Sequence, residues 1–397
     1  MTDPRPILRL KPKADARRLR HGYPWVHADS IVADRRSRAI PPGTLAVLED
    51  DARTPMATVA VNMGARIVAR VLDPDPDARI DAAWIAARVG AALAHRDRLY
   101  PAPFYRAVHG EADGLPGLIV DRFGDVAALQ PNAAWIAERI DAVVEALAAH
   151  GIVHVYLNTG SRARASEGLE GAPGWLRGGV DGPVVVPMNG AIYLADLTGG
   201  QKTGLFYDQR DNHAFSAGLA QGGRVLDVFS HVGGFGLAAL AGGAASVLAV
   251  DGSAPALALA ADAAARMGRA ADIETRQGDA FEVMAALGAE GARFDLVVAD
   301  PPAFAPAKSA LAAGLRAYER VARLAAPLVA PGGYLTLCSC SHAAGLEKFR
   351  ASSIRGIGRA GRTAQLVRTG FAGPDHPVHP QLAEAGYLKA LTFRCLD

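Results

Sequence analysis

Cysteine is scarce in this chain: three in 397 residues cannot build a disulfide framework, and a reducing compartment would keep them as thiols. No apolar run approaches the roughly eighteen residues needed to cross a bilayer. The opening MTDPRPILRLKPKADARRLRHG lacks the apolar centre of a secretory signal. Internal repeats and low-complexity segments are absent, and the net charge is only +2. These absences exclude a membrane span and a disulfide scaffold, and they lead us to expect a cytoplasmic protein. With 50% hydrophobic and 21% charged residues, the length suits two or three globular units.

The small net charge hides an uneven distribution. Residues 1–40 carry ten Lys or Arg against four Asp. From Lys348 to Arg368 there are six, Lys348, Arg350, Arg355, Arg359, Arg362 and Arg368, with no acid between them. Two local basic surfaces on a nearly neutral body suit a polyanion held at chosen points, although a merely solvated face has the same composition.

Texture divides the chain. Short β-branched runs punctuated by Gly and Pro, such as TLAVLED, TPMATVAV and ARIVARVL, predict a small β barrel ending near residue 72. From Asp81 the period becomes helical, with Trp84, Ile85, Val89, Ala92 and Leu93 on one face. Strands at GLIVDRFGDVAALQ, a helix through AAWIAERIDAVVEALAAHG and a strand at VHVYL complete an α+β unit. After residue 190 short apolar strands alternate with helices: RVLDVFS, SVLAVD, IETRQGD, FDLVVAD, GYLTLCS and YLKALTFRCL. That alternation predicts a mostly parallel, doubly wound α/β sheet.

Ligands in such sheets bind at the carboxyl ends of the strands. The first strand runs into Ser-His-Val-Gly-Gly-Phe-Gly, where Gly233, Gly234 and Gly236 permit close backbone approach. This is not the spacing of a nicotinamide site, and no basic residue follows to hold a phosphate. Asp227 at the strand end suits instead an ammonium-bearing, phosphate-free cofactor such as S-adenosylmethionine. Asp251 ends the second strand, where an acid can hold two ribose hydroxyls. Asp279, beside Phe281, ends the third and could accept from an adenine amino group. Asp300 ends the fourth and opens Asp-Pro-Pro-Ala-Phe304, a stiff turn with a ring for a planar base. Any one of these acids could be an ordinary helix cap; four in register define a crevice.

The fifth strand, Tyr334-Leu-Thr-Leu-Cys-Ser-Cys-Ser-His342, places Cys338 and Cys340 on one face beside the Asp300 turn. A thiolate there could add to C6 of a pyrimidine and so activate C5 for methylation. Cys-x-Cys-x-His could also supply metal ligands, with Cys395 as a fourth, but the spacing is unlike a zinc knuckle, and we assign no metal. Cys338 and Cys395 read as small buried residues.

Longer motifs carry a resemblance. LRHGYPWVHADSI, VHGEADGLPGLIVDRFGD, GGQKTGLFYDQRDN, LDVFSHVGGFG, DPPAF, SCSH, and DHPV followed by GYLK are together similar to the bacterial 23S ribosomal RNA large-subunit methyltransferase I family. The resemblance spans nearly the whole chain. It implies a PUA-type RNA-binding barrel over residues 1–73, a central α+β domain over 74–187, and a Rossmann-like class I methyltransferase domain over 188–397. It implies S-adenosylmethionine as cofactor, 23S RNA or its assembly particle as partner, no membrane partner, and a homodimer as an open option. By resemblance Gln201, Lys202, Thr203, Phe206 and Asp208 border the cofactor cleft with Asp227, Gly233, Asp251, Asp279 and Asp300. Arg210 supports the same segment and is assigned with Phe304 to the substrate side. Cys340 matches the family nucleophile; the base that removes the C5 proton is unassigned, with Asp300 or an ordered water as candidates. Two departures stand out: Met188-Asn-Gly where an acid is usual before Asn-Gly, and His213 where arginine is usual. A nitrogen methyltransferase acting on a purine, which needs no thiol, and a non-catalytic ribosome-assembly factor are the alternatives.

Overall fold

Alternating apolar residues in Leu45–Glu49, Pro55–Val61 and Ile67–Asp73 turn one face of each strand inward. In the computed structural model, which describes residues 5–200, 204–382 and 386–397, five strands curl around that face. They are β1 (Ile7–Arg9), β2 (Trp25–His27), β3 (Leu45–Glu49), β4 (Pro55–Val61) and β5 (Ile67–Asp73), in the order β1-β3-β4-β5-β2. The edges meet: Val32 N–H donates to Arg9 O and Lys11 N–H to Ser30 O, both at 2.9 Å. Closure removes the exposed sheet edges and leaves Leu8, Val26, Ile31, Leu48, Val59 and Val68 in a dry centre. Two short helices, α1 (Ala16–Arg20) and α2 (Arg35–Arg38), are capped by Asp15 and Asp34. Their Arg17, Arg18, Arg20, Arg35, Arg36 and Arg38 are exposed.

Asp81 caps α3 (Ala82–Leu99) by accepting from Trp84 N–H at 3.0 Å. The helix buries Ile85, Val89, Ala92 and Leu93. Its sheet contains β6 (Phe104–His109), β7 (Leu118–Phe123), β8 (Val126–Pro131), β9 (His154–Leu157) and β10 (Gly174–Arg177), ordered β10-β9-β8-β7-β6. The helix expected through residues 133–151 is two, α4 (Ala134–Ala137) and α5 (Ile140–Ala148). They are broken at Arg139, whose backbone (φ −114°, ψ 24°) leaves the helical region. A further short helix is α6 (Arg162–Ser166).

The barrel and this α+β layer form one compact unit ending at Gly182, which also takes in the later segment beginning at Asp375. Paired charges hold that segment. Arg96, wholly buried, clasps Asp113 at 2.5 and 2.8 Å and donates to Asp375 O at 3.0 Å. The Asp375 carboxylate accepts from Arg106 N–H at 3.0 Å and contacts His376 Nδ1 at 2.9 Å.

The second unit holds residues 183–374 and 386–397. It opens with a hairpin, β11 (Val184–Met188) and β12 (Ala191–Ala195), turned by Asn189 and Gly190 at φ 54° and 75°. Both central residues thus have the positive φ of a type I′ turn, which Asn-Gly favours. Then follow α7 (Arg210–Leu219), β13 (Arg224–Val228), α8 (Gly234–Ala241), β14 (Ser246–Asp251), α9 (Ala254–Arg266), β15 (Ile273–Gln277), α10 (Ala280–Ala289) and β16 (Phe294–Ala299). The chain continues through α11 (Leu311–Ala325), β17 (Val329–Ser339), α12 (Leu346–Arg359), β18 (Ala364–Gly370) and β19 (Lys389–Cys395). The sheet order is β15-β14-β13-β16-β17-β19-β18, and only β19 runs antiparallel to its neighbours. This is the doubly wound architecture that the alternation predicts, with the order reversing between β13 and β16.

The second basic stretch is partly structural. Arg355 and Arg359 pair with Glu319, and Arg362 donates to Ala326 O and Val329 O at 2.8 Å each and pairs with Asp397. Arg368 lies over the Phe215 ring at 4.3 Å. Those four charges pin α12 and β18, so the stretch is not the continuous open polyanion surface that its composition suggested.

Candidate active site

The reversal point gathers the predicted residues. In register, Asp227 on β13 lies opposite Val298 on β16, and Ala299 lies opposite Leu337 on β17. Asp251, Asp227, Asp300 and Cys340 therefore follow one another at the carboxyl ends of β14, β13, β16 and β17.

Between β13 and α8 the backbone is forced into an unusual path. Phe229, His231 and Gly233 have φ of 62°, 50° and 81°. Such conformations are costly for residues with a Cβ and mark functional turns. The sequence suggests that the glycines make room for a ligand; two of them also make room for neighbouring side chains. A Cβ on Gly234 would lie 2.8 Å from His213 Nε2, and one on Gly236 would lie 2.8 Å from Val247 Cγ1. His213 is the departure from arginine noted above. It is buried against Tyr193 and Phe235, and burial, followed by the Arg210 charge, depresses its pKa to about 3.

Under this loop Asp227 is 1% exposed. Its Oδ2 accepts from Gly236 N–H at 2.8 Å, whereas Oδ1 has no partner. Burial raises this carboxyl to about 7; the Gly236 bond opposes the rise and the Asp251 charge adds to it. Ser230 Oγ, in the same turn, is also buried without a partner. Asp251 accepts from His231 N–H at 2.9 Å and Ser253 N–H at 2.8 Å, so its carboxylate fixes the loop. Phe206 packs on His231, with ring centres 5.1 Å apart.

Asp279 is exposed and follows β15 by two residues. Its Oδ1 caps α10 through Phe281 N–H and Glu282 N–H at 2.9 and 3.1 Å. Asp208 Oδ2 accepts from Tyr387 O–H at 2.6 Å. Arg210 is buried, with its carbonyl accepting from Asn189 Nδ2 at 2.8 Å. Gln201, Lys202 and Thr203 lie outside the described residues.

Asp300 is oriented by Gln209, whose Nε2 donates to Asp300 Oδ2 at 2.9 Å while its Oε1 accepts from Asn212 Nδ2 at 2.7 Å. Gln209 also bonds toward Cys338. Cys338 is fully buried, and burial followed by the Asp300 charge pushes its thiol well above the ordinary value. A thiol held in that state is a poor nucleophile. Cys340, one residue beyond the end of β17, is partly exposed. The serines on either side of it are wholly buried. Ser341 Oγ accepts from Ala305 N–H at 2.9 Å and bonds Tyr318 O–H at 2.7 Å, tying the Cys340 turn to the Asp-Pro-Pro loop. Phe304 is half-buried, 5.1 Å from the Tyr318 ring and 6.2 Å from Phe281.

Three participants escaped the sequence reading. Gln209 sits within a quoted motif yet has no charge to attract notice. Tyr387 and Lys389 belong to GYLK, and a lysine inside the apolar strand YLKALTF is a signal, because lysine is seldom fully buried without a partner. Lys389 is 3% exposed and donates to Ser341 O and Ala344 O, both at 2.8 Å. Among the described residues there is no group of three or more His, Cys, Asp or Glu placed to hold a metal.

Comparison with known proteins places this geometry. The S-adenosylmethionine-dependent methyltransferase family matches residues 137–394, and a PUA-like domain matches residues 8–74. A Deinococcus radiodurans ribosomal RNA large subunit methyltransferase is 36% identical, with 97% of each chain covered. The ribosomal RNA large subunit methyltransferase I of Cronobacter sakazakii is 33% identical over 94% of this chain and 95% of its own. This chain belongs to the ribosomal RNA large subunit methyltransferase I family. A solved Streptococcus mutans structure, described as a SAM-dependent methyltransferase, superposes with a TM-score of 0.80 over 98% of this chain and 100% of that one. At 18% identity it speaks for the shared fold alone.

The protein is thus an S-adenosylmethionine-dependent methyltransferase, and its buried polar atoms fit that cofactor. The unpartnered Asp227 Oδ1 and Ser230 Oγ offer acceptors to an ammonium group. Asp251 retains acceptor capacity for hydroxyls beyond its two backbone bonds.

Proposed function

We propose that the protein methylates C5 of a cytosine in 23S ribosomal RNA through a covalent adduct of Cys340. The ribosomal substrate follows from what the relatives' names state. The carbon target rests on one observation: a partly exposed thiol stands at the end of β17, beside the Asp300 turn, while its strand neighbour Cys338 is sealed away. Methylation of an amino or ring nitrogen needs no such thiol; C5 of cytosine does, since it becomes nucleophilic only after addition at C6.

Cys340 Sγ forms a bond to C6, and the C5=C6 electrons move onto C5. S-Adenosylmethionine, when bound, supplies a methyl group on a positively charged sulfur. Asp300, its carboxylate plane set by Gln209, is the proposed acceptor of the C5 proton, directly or through a water. Loss of that proton restores the C5=C6 bond and expels the Cys340 thiolate. Phe304 on its aromatic bed offers a face to the target base, whose extrusion from a duplex costs a few kcal/mol. We assign residues 1–73 to RNA binding, 74–187 to the central layer and 188–397 to methyl transfer. A ribosomal RNA substrate is consistent with a reaction in the cytoplasm.

Ribosomal RNA transcribed with 5-fluorocytosine tests the reading, because fluorine at C5 cannot leave as a proton. The wild-type protein should form an RNA adduct that survives denaturing electrophoresis, and Cys340→Ala should form none. Methylation of ordinary RNA at an undiminished rate by Cys340→Ala would overturn the C5 assignment in favour of a nitrogen target.

A further inference from the structure

The nucleophile assignment leaves one buried charge unexplained. Lys389 starts β19, and in the antiparallel pairing of β17 with β19 it stands directly opposite Ser339, the residue before Cys340. Its ammonium reaches past the strand end and donates to the carbonyls of Ser341 and Ala344. Those carbonyls follow Cys340 by one and four residues, so the cation sits inside the turn that displays the thiol. Ser339 and Ser341 give the turn further anchors: Ser341 N–H donates to Ser339 Oγ at 3.3 Å, and Ser341 Oγ is held by Ala305 N–H and Tyr318. Two carbonyls would satisfy a neutral donor equally well. A lysine brings, in addition, a full positive charge to a site of low dielectric.

We infer that Lys389 is a positioning residue that sets the Cys340 turn and holds Cys340 as a thiolate before substrate arrives; this rests on Cys340 being the nucleophile. The balance is simple. The Cys340 thiol loses its proton to solvent, the thiolate adds to C6 and is later expelled as thiolate, and Lys389 keeps its proton throughout. Burial lowers the Lys389 ammonium to about 8, and the charge of Cys340 acts in the opposite direction, as a cation–thiolate pair requires. Other groups bear on the same site. Tyr318 of α11 faces Cys340, and Cys338 interacts with it along β17. Asp300 and Asp227, from β16 and β13, act on Cys338. Acids near a thiol disfavour its thiolate, and Lys389, bonded into the Cys340 turn, is a cation that opposes them.

The test measures the thiol without RNA. Iodoacetamide alkylation rates are taken from pH 5 to 10 on the wild-type protein, with Cys340→Ser subtracted for the other two cysteines. The wild-type thiol should titrate below the value of about 8.5 expected for a free cysteine. Lys389→Gln keeps a donor for the carbonyls without the charge and should react about tenfold more slowly at pH 7, as should Lys389→Met. Lys389→Arg keeps the charge and should stay nearer the wild type. A folded Lys389→Gln with the wild-type profile overturns the inference. So does a wild-type thiol that titrates at or above the free-cysteine value, a measurement that needs no variant. The 5-fluorocytosine adduct separates the two claims. Adduct without a shifted thiol titration leaves the C5 mechanism and removes Lys389's role, whereas a shifted titration without adduct does the reverse.

Discussion

Both units of the protein bury polar side chains, and they do so in opposite ways. In the first unit, Arg96, Asp113, Arg106, Asp121, Asp375 and His376 satisfy one another. The unpartnered atoms there are scattered single ones, such as Arg9 Nε and Asn132 Oδ1. In the second unit Asp227 Oδ1, Ser230 Oγ and His213 Nδ1 are unpartnered around one turn. A closed network anchors a segment of chain, while an open one keeps its capacity for something else. Burial alone does not distinguish a structural charge from a functional one; the gathering of unsatisfied atoms around one turn does.

The largest expected effect breaks the closed network. Arg96→Met removes the guanidinium bonds to the Asp113 carboxylate and the Asp375 carbonyl and should cost about 3–5 kcal/mol in chemical unfolding, with cofactor affinity of the folded fraction unchanged. Asp227→Asn should do the opposite. Apo stability holds or rises, and S-adenosylmethionine affinity by calorimetry falls by about 2 kcal/mol or more, roughly thirtyfold. A stability loss matching that of Arg96→Met would erase the contrast.

Acid and base sharpen it further. Asp227 has a folded value of about 7 against an ordinary 3.8, so between those limits the folded chain holds a proton that the unfolded chain has released. Its contribution to apo stability therefore falls as pH rises from about 4 to 7, while affinity for a cationic ligand rises. The Asn variant should lose both slopes. His213 titrates near 3 when folded, against 6.5, so its contribution is full above 6.5 and is lost as pH falls toward 3. His213→Phe should flatten that part of the acid-unfolding curve. Smallest of all, Ser230→Ala should change apo stability by under about 0.5 kcal/mol, since no bond is lost, and weaken cofactor binding only slightly.

Periodicity made the fold of the second unit legible, because β13, β14 and β16 are short apolar runs with an acid at or beside their carboxyl ends. Strands β6, β10 and β18 were not. FYRAVH and AQLVRTG interleave basic and apolar residues, and GWLR is a short edge strand with a bulge between Trp175 and Arg177. Each pairs with the strand adjacent to it in chain order, so what hides them is their mixed composition rather than a remote partner. At the site, Asp227, Asp251, Asp300 and Cys340 stand at strand ends, where position alone points to them. Asp279, two residues past the end of β15, caps α10 through Phe281 N–H and Glu282 N–H. Gln209 and Lys389 act through contacts of 91 and 48 residues' separation, which only the folded chain brings together.

The path of β19 has a consequence for biosynthesis. Among the described residues β18 pairs with β19 alone, and β19 is also the partner of β17. A nascent chain therefore displays β18, with Leu366 and Val367 on its surface, as an unpaired ribbon until every residue through β19 has left the exit tunnel. The same strand delivers Lys389 to Cys340. A shortened chain that stops before residue 389 lacks an inner stave of the sheet, so it presents a sticky edge and an untuned thiol together. Quality control by the cell's chaperones and proteases would meet incomplete copies before they could reach RNA.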